Sequence, residues 1–211
     1  MKPGDGAISL DEQADNVVVW MWRLIEDERL VESVVRTYCE CCRVARTNMP
    51  DRFDERGLDD SDQLRLFFEL ICFATHQAVV LAPRYLAAEP GSVQEMASVD
   101  AFSKRLVVHL QNYCRTAGVP AQREIIVTTL HPKVEFGLGA SLDPLDRLVM
   151  YYESDARQFG AAVEVFAKKL AMSCDPHNYP LFAPAFATYG ETMLYAAASA
   201  LAGVLGTPSG A

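Results

Sequence analysis

Hydrophobic side chains recur at helical spacing along most of the chain. From Val17 to Cys42, apolar residues follow one another at alternating steps of four and three, with one interruption at Glu28. This spacing places them on one face of a helix over about residues 10–47. The pattern fits a single long helix or two helices that break near Glu26–Arg29.

Further segments show the same period and predict additional helices. They are residues 62–82, 99–116, about 145–173 and 184–205. The 62–82 segment is apolar on nearly every side, which is typical of a helix at the centre of a bundle. The 184–205 segment is also apolar nearly all round, and its many small residues permit a neighbouring helix to approach closely.

The segment 124–138 is ambiguous because β-branched residues are concentrated there. It is compatible with a short helix closed by Pro132, or with a small hairpin that turns at residues 131–133. We favour the helix, since a lone hairpin is marginally stable. The sequence therefore predicts an all-α protein, a bundle of six or seven helices around one buried central helix, with a hairpin near 124–138 as the alternative.

The length and composition favour one globular unit. The chain has 211 residues, half of them hydrophobic, which suits a single domain with one core. No period of 20–50 residues recurs, so a repeat architecture is not expected. We predict one helical domain over residues 1–211, with residues 1–9 and 206–211 as frayed tails.

The charge pattern argues against several classes of partner. The formal net charge is −9, and no basic run is longer than the pair Lys168 and Lys169. Nucleic-acid and anionic-membrane binders cluster basic residues, so neither partner is expected. The first ten residues have no apolar core, and six cysteines are too few for a disulfide scaffold. We therefore expect a cytoplasmic protein with free thiols.

Two residue pairs suggest a metal site. Cys39 and Cys42 share one helix face, and Cys72 and His76 share another, because residues three or four apart are helix neighbours. If the two helices pack antiparallel across the 48–61 loop, the pairs lie at similar heights. Three thiolates and one imidazole would form a tetrahedral site for zinc or another soft metal. The alternative is that these thiols pack as small apolar side chains, the more common fate of cysteine.

A second hypothesis places a ligand pocket inside the bundle. The polar side chains of the 62–82 helix form one strip that includes Arg65, Glu69 and His76. This strip would line an internal polar pocket, or would face solvent with an ion pair between Arg65 and Glu69.

Another histidine could contribute to the same pocket. His109 shares a predicted helix face with Tyr113 and with apolar residues, so it is either a pocket residue or a core histidine that is satisfied locally. The residues predicted to line the pocket are Arg65, Glu69, His76, His109 and Tyr113.

No motif indicates a catalytic reaction. The chain has no Gly-x-Ser-x-Gly sequence and no nucleophile and base at an interpretable spacing, so an enzyme is not favoured. Two strongly apolar helices exceed what one bundle of this size encloses, and the second would then pack on another chain. We predict a binding or oligomerisation module that acts through an apolar helix face, most simply as a homodimer. The alternative is a bundle that binds a metal or small ligand through the Cys and His residues above.

Overall fold

The structure is a computed structural model. It describes residues 8–50, 53, 56–86, 93–116, 145–146, 148–149, 151–152 and 162–207. Within these residues there are six helices and no strand, which confirms the predicted all-α bundle. The helices are α1 (Leu10–Asp27), α2 (Leu30–Asn48), α3 (Asp60–Leu86), α4 (Val93–Thr116), α5 (Ala162–Cys174) and α6 (Tyr179–Leu205). The predicted helix or hairpin at 124–138 lies outside the described residues.

The first apolar stripe forms two helices. Ser9 caps α1, because its Oγ accepts a hydrogen bond of 3.2 Å from the backbone N–H of Glu12. The break between α1 and α2 falls at Arg29, which adopts a left-handed conformation with φ 48° and ψ 44°. The left-handed conformation costs on the order of 1–2 kcal/mol for a residue that has a Cβ. The tight turn folds α2 back so that both helices bury their apolar faces in one core.

Helix α3 lies at the centre of the bundle, as predicted from its apolar residues on nearly every side. It contacts each of the other five helices, and 14 of its 27 residues are buried. The helix is longer than predicted at both ends and continues past Pro83 for one turn. Among the helices that the structure describes, α3 has the length and composition to cross a membrane, and most of that stretch is buried inside the bundle.

Helices α5 and α6 form a closely packed hairpin. The Asp175 carboxylate closes the turn between them by accepting hydrogen bonds from the backbone N–H groups of His177 and Asn178, at 2.9 and 3.0 Å. Burial alone would raise the pKa of Asp175, but these bonds and the Asn178 side chain hold it below its ordinary value. Further along, Gly190 lies so close to α5 that an added Cβ would meet a Val163 methyl at 2.6 Å.

Helix α6 is also fixed to α2. The hydroxyl of Tyr189 lies 2.8 Å from the Ser33 hydroxyl and 2.9 Å from the Thr37 hydroxyl. The helix begins at Tyr179, five residues before the predicted start, with proline in its first turn. Proline is favoured there, because the first N–H groups of a helix have no intrahelical partner. The interior between α3 and α5 is aromatic, with the rings of Phe73 and Phe166 stacked at 4.2 Å.

Candidate functional site

The predicted zinc ligands do not come together. Cys39 is exposed on α2, whereas Cys42 points inward to Tyr38 and to Cys174 at the end of α5. Cys72 faces Cys114 on α4. In the part of the chain that the structure describes, no three His, Cys, Asp or Glu residues are placed to hold a metal ion. The described structure does not bring Cys39, Cys42, Cys72 and His76 together, because Cys39 faces solvent while Cys42 and Cys72 face different helices.

The buried thiols are also poor ligands and poor nucleophiles. Burial raises the pKa of Cys42 and Cys72, and it raises that of Cys114 to about 12. The thiolate is the form that binds metals and attacks electrophiles. These three side chains act as small apolar groups in the core, which is the alternative that the sequence left open.

The five residues predicted to line one ligand pocket lie in three places. Arg65 pairs with Asp62 at 3.6 Å instead of with Glu69. The imidazole of His109 lies between two α1 carboxylates, with Nε2 3.3 Å from Asp11 Oδ1 and Nδ1 3.1 Å from Asp15 Oδ1.

Tyr113 belongs to the same α1–α4 contact as His109, where its ring lies 5.6 Å from that of Trp22. Glu69 and His76 face a third region, around residues 151 and 152. Among the described residues, the structure places His109 beside Tyr113 and Glu69 beside His76, with Arg65 at a third position.

Glu69 anchors a polar cluster inside the bundle. The Tyr151 hydroxyl donates to Glu69 Oε1 at 2.6 Å, and the Tyr152 hydroxyl donates to Oε2 at 3.4 Å. The ammonium of Lys169 lies 3.6 Å from the centre of the Tyr151 ring. The ring of His76 is tilted against that of Tyr152 at 5.1 Å. A carboxylate, two phenols and a cation thus meet where α3 and α5 approach residues 151 and 152.

The electrostatics of this cluster favour stability over catalysis. Burial raises the pKa of Glu69, and the Tyr151 bond, Lys169 and the Tyr152 bond oppose that rise. The pKa of Tyr152 is raised well above its ordinary value, mainly by burial and secondarily by the negative charge of Glu69. Both Glu69 oxygens already accept a hydrogen bond, so the carboxylate is committed to its protein donors. We interpret the hydrogen bonds around the Glu69 carboxylate as a polar network that joins elements of the bundle.

A second charged group closes the start of α3. The Arg56 guanidinium donates to Asp62 at 2.7 Å, and Asp62 is 2% exposed. Asp62 and Asp59 also cap each other, since the N–H of each residue donates to the carboxylate of the other. Arg65 Nε is buried and has no hydrogen-bond partner among the described residues. The two arginines share one carboxylate, and Arg56 also donates to the backbone carbonyl of Cys174 at 3.5 Å, which ties the loop before α3 to the end of α5.

The surface feature that differs most from its surroundings lies on α6. One side of this helix, here called the α6 face, is formed by Leu181, Pro184, Thr188, Glu191, Leu194 and Tyr195, all exposed. Tyr195 is 70% exposed and Leu181 is 49% exposed. Within the sequence Tyr179–Leu205, Glu191 is the single charged residue. Elsewhere in the described residues, exposed apolar side chains such as Val80 and Met96 occur on other helices, and scattered ones are ordinary.

The α6 face ends at an apolar groove between α2 and α6. Its volume is about 280 Å³. The apolar lining comes from Cys41, Val44, Ala45, Met49, Leu181 and Phe182. Leu181 belongs both to the groove and to the α6 face, so the two features form one continuous surface.

Two polar residues, Glu40 and Asn48, also line the groove. Glu40 is already paired with Arg43, whose Nε donates to Oε2 at 3.0 Å. The groove therefore presents mainly apolar atoms to whatever enters it.

Comparison of the chain with protein families, with curated proteins and with solved structures gives no match.

Sequence reasoning found the apolar excess of the 184–205 segment but missed two features. The groove depends on how the end of α2 packs against the start of α6. The helical spacing of hydrophobic residues does not predict this packing. The partners of Glu69 lie more than 80 positions further along the chain. The adjacent tyrosines at 151 and 152 were a weak signal, because neighbouring residues on a helix project about 100° apart and do not predict a common partner.

Proposed function

We propose that this protein is a binding module that associates with a second copy of itself through the α6 face. The supporting observation is the exposed apolar face itself, which runs from Leu181 to Tyr195 and carries the charge of Glu191 alone. Large contiguous apolar surfaces on folded proteins are typical of interaction sites. By contrast, the Glu69 carboxylate already accepts hydrogen bonds from Tyr151 and Tyr152, so this site does not require a contact with another molecule.

The distribution of charge favours a second copy as the occupant. The chain carries a net charge of −9, so two copies repel each other across most of their surfaces. The α6 face has one carboxylate, and a contact made there brings few like charges together. Most homo-oligomers are two-fold dimers whose contact surface matches itself. A self-matching apolar face on an acidic protein meets that requirement.

The size of the face sets the expected affinity. The α6 face runs from Leu181 to Tyr195, about 21 Å along the helix, so a strip about 10 Å wide covers about 210 Å² per copy. Stable complexes bury about 800 Å² per partner. The α6 face alone therefore supports only a weak dimer, which is populated toward millimolar concentration.

Sedimentation velocity across the low micromolar to millimolar range tests this proposal. We expect the wild-type protein to shift from monomer to dimer. The double variant Leu181→Glu/Tyr195→Glu should remain monomeric, because it places two carboxylates on the α6 face of each copy.

A matched control uses exposed apolar residues elsewhere. Val80→Glu/Met96→Glu adds the same charge at side chains that are 50% and 68% exposed on α3 and α4. This control should dimerise like the wild type. A wild-type chain that stays monomeric at millimolar concentration, or a control that loses the dimer equally, would overturn the proposal.

A further inference from the structure

We infer that, in this dimer, Tyr195 of each copy enters the groove between α2 and α6 of the other copy. The inference rests on the proposed self-association and names the contact that would anchor it. It follows from where Tyr195 and the groove lie on the same surface.

The spacing along α6 fits a reciprocal contact. Leu181 at the groove and Tyr195 are 14 positions apart on the α6 face, which is about 21 Å along the helix. Thr188 lies midway between them. A two-fold axis beside Thr188 pairs two α6 helices antiparallel and places each Tyr195 opposite the other copy's Leu181. In a two-fold contact, residue i of one copy meets residue j of the other, and j meets i.

The groove has the size and lining of an anchor site. Its volume of about 280 Å³ is just below the range of roughly 300–1,000 Å³ that is typical of small-molecule pockets. One large side chain suits it better than an extended ligand. Tyr195 is the most exposed of the large apolar side chains on the described part of the surface. Tyrosine is enriched among interface residues that bury an aromatic ring in a pocket.

The remaining side chains of the face are compatible with this arrangement. The two Thr188 side chains, small and uncharged, meet at the axis. The two Glu191 residues are offset by three positions on either side of it, about 9 Å apart along the helices. Their carboxylates therefore lie beside the contact and do not oppose each other directly.

Three single variants test the contact by sedimentation equilibrium. Tyr195→Ala should raise the dimer dissociation constant by about 30-fold or more, since each dimer loses two aromatic anchors. Tyr195→Phe keeps the ring and should remain within a few-fold of wild type. Val44→Glu should weaken the dimer as strongly as Tyr195→Ala, because it places a charge in the groove. Val44 is 46% exposed, so the fold should tolerate this change.

Mixing two defective variants gives the sharper test. A dimer of Tyr195→Ala with Val44→Glu retains one intact contact, formed by the unchanged tyrosine of one copy and the unchanged groove of the other. We expect this mixed dimer to be about 10-fold tighter than either variant alone. Native mass spectrometry with one isotopically labelled variant counts the three species directly.

Cys41 reports on the groove without a mutation. It lines the groove, whereas Cys39 lies exposed two residues away on α2. As protein concentration rises, alkylation of Cys41 should slow several-fold while alkylation of Cys39 should not. Fragment-ion mass spectrometry assigns the label to each position. In Tyr195→Ala, the two rates should no longer separate over the same range of concentration.

The outcomes separate this inference from the proposed function. A dimer that survives Tyr195→Ala, shows no gain on mixing and leaves Cys41 alkylation unchanged would overturn the anchor contact while leaving self-association intact. A chain that never dimerises would overturn both. Rescue on mixing together with protection of Cys41 supports both.

Discussion

Helices α3 and α6 have the same length but different environments. Each has 27 residues, and 14 are buried in α3 against nine in α6. Helix α6 is nevertheless the more apolar of the two, with one charged residue, whereas α3 contains Asp62, Arg65 and Glu69 among others. The less polar helix is thus the more exposed one.

This difference shows what the hydrophobicity of a helix does and does not specify. The hydrophobicity of a helix sets how much apolar surface must be buried, but it does not specify whether the same chain or another chain packs against that surface. The α3 helix contacts each of the other five helices, and its carboxylates Asp62 and Glu69 accept hydrogen bonds from Arg56, Tyr151 and Tyr152. The α6 helix contacts α1, α2, α3 and α5 and also has an apolar face toward solvent. We interpret the first as complete within one chain and the second as half of an interface.

The largest contrast between the two helices should be in stability. Phe73→Ala removes a fully buried ring that stacks on Phe166, so unfolding free energy should fall by about 3–5 kcal/mol. Tyr195→Ala removes an exposed ring and should change it by less than about 0.5 kcal/mol when measured on the monomer. Urea denaturation at low micromolar concentration compares the two. A large loss in Tyr195→Ala would show that the α6 face already supports the monomer.

The Glu69 cluster gives α3 a dependence on pH that α6 should lack. Burial raises the pKa of Glu69 above its ordinary value of 4.5, so the folded state holds that proton more tightly than the unfolded state. This contribution to stability is present below pH 4.5 and is lost as pH rises through the folded-state pKa. Glu69→Gln should flatten that part of the profile, whereas Glu164→Gln, at an exposed site on α5, should leave it unchanged. Urea midpoints measured at successive pH values check this result.

Removing the carboxylate outright should have a larger effect. Glu69→Ala leaves the hydroxyls of Tyr151 and Tyr152 without their acceptor and should cost about 2 kcal/mol. The same urea titration at neutral pH measures this loss. A variant as stable as the wild type would show that the two phenols find other partners.

The packing of α6 against α5 can be tested at one glycine. Gly190→Ala brings a Cβ to 2.6 Å from a Val163 methyl, so we expect a loss of about 1–2 kcal/mol despite the better helix propensity of alanine. Adding Val163→Ala should recover most of the loss that is due to the clash. Gly203→Ala is the matched comparison, because its Cβ meets the Trp20 ring at 3.0 Å at an exposed position. A double variant that is no better than the sum of the singles would contradict a local clash.

The smallest expected effect concerns the charge on the α6 face. Glu191→Gln removes the repulsion between two carboxylates that are offset by about 9 Å along the helices, worth at most about 0.5 kcal/mol in water. The dimer dissociation constant should fall by about two-fold at low salt and less at high salt. Sedimentation equilibrium at two ionic strengths measures this. Glu164→Gln again serves as the control, and an equal effect there would indicate that net charge alone controls association.

Helical periodicity predicted the elements better than their contacts. The central position of α3 followed from its apolar residues on nearly every side. The break near Glu28 was one of the two alternatives that the first apolar pattern allowed. The cysteines show the limit. Spacing correctly put Cys72 and His76 on the buried side of α3, but it also paired Cys39, which is exposed, with Cys42, which is buried. The rotation of α2 and α3 about their axes decides which side chains face each other. That rotation depends on packing against α4, α5 and α6, and no local pattern records it.

The burial of the cysteines also determines which thiols should oxidise first when the protein is stored in air. Cys42, Cys72, Cys114 and Cys174 are buried thiols with raised pKa values, and they should resist oxidation. The accessible thiols lie on α2, at exposed Cys39 and at half-buried Cys41 in the groove. Oxidative damage should therefore begin on a folded chain, within one helical turn of its proposed meeting surface. A stored preparation would lose association before it loses structure, and fresh reductant would restore the reversible part of that loss.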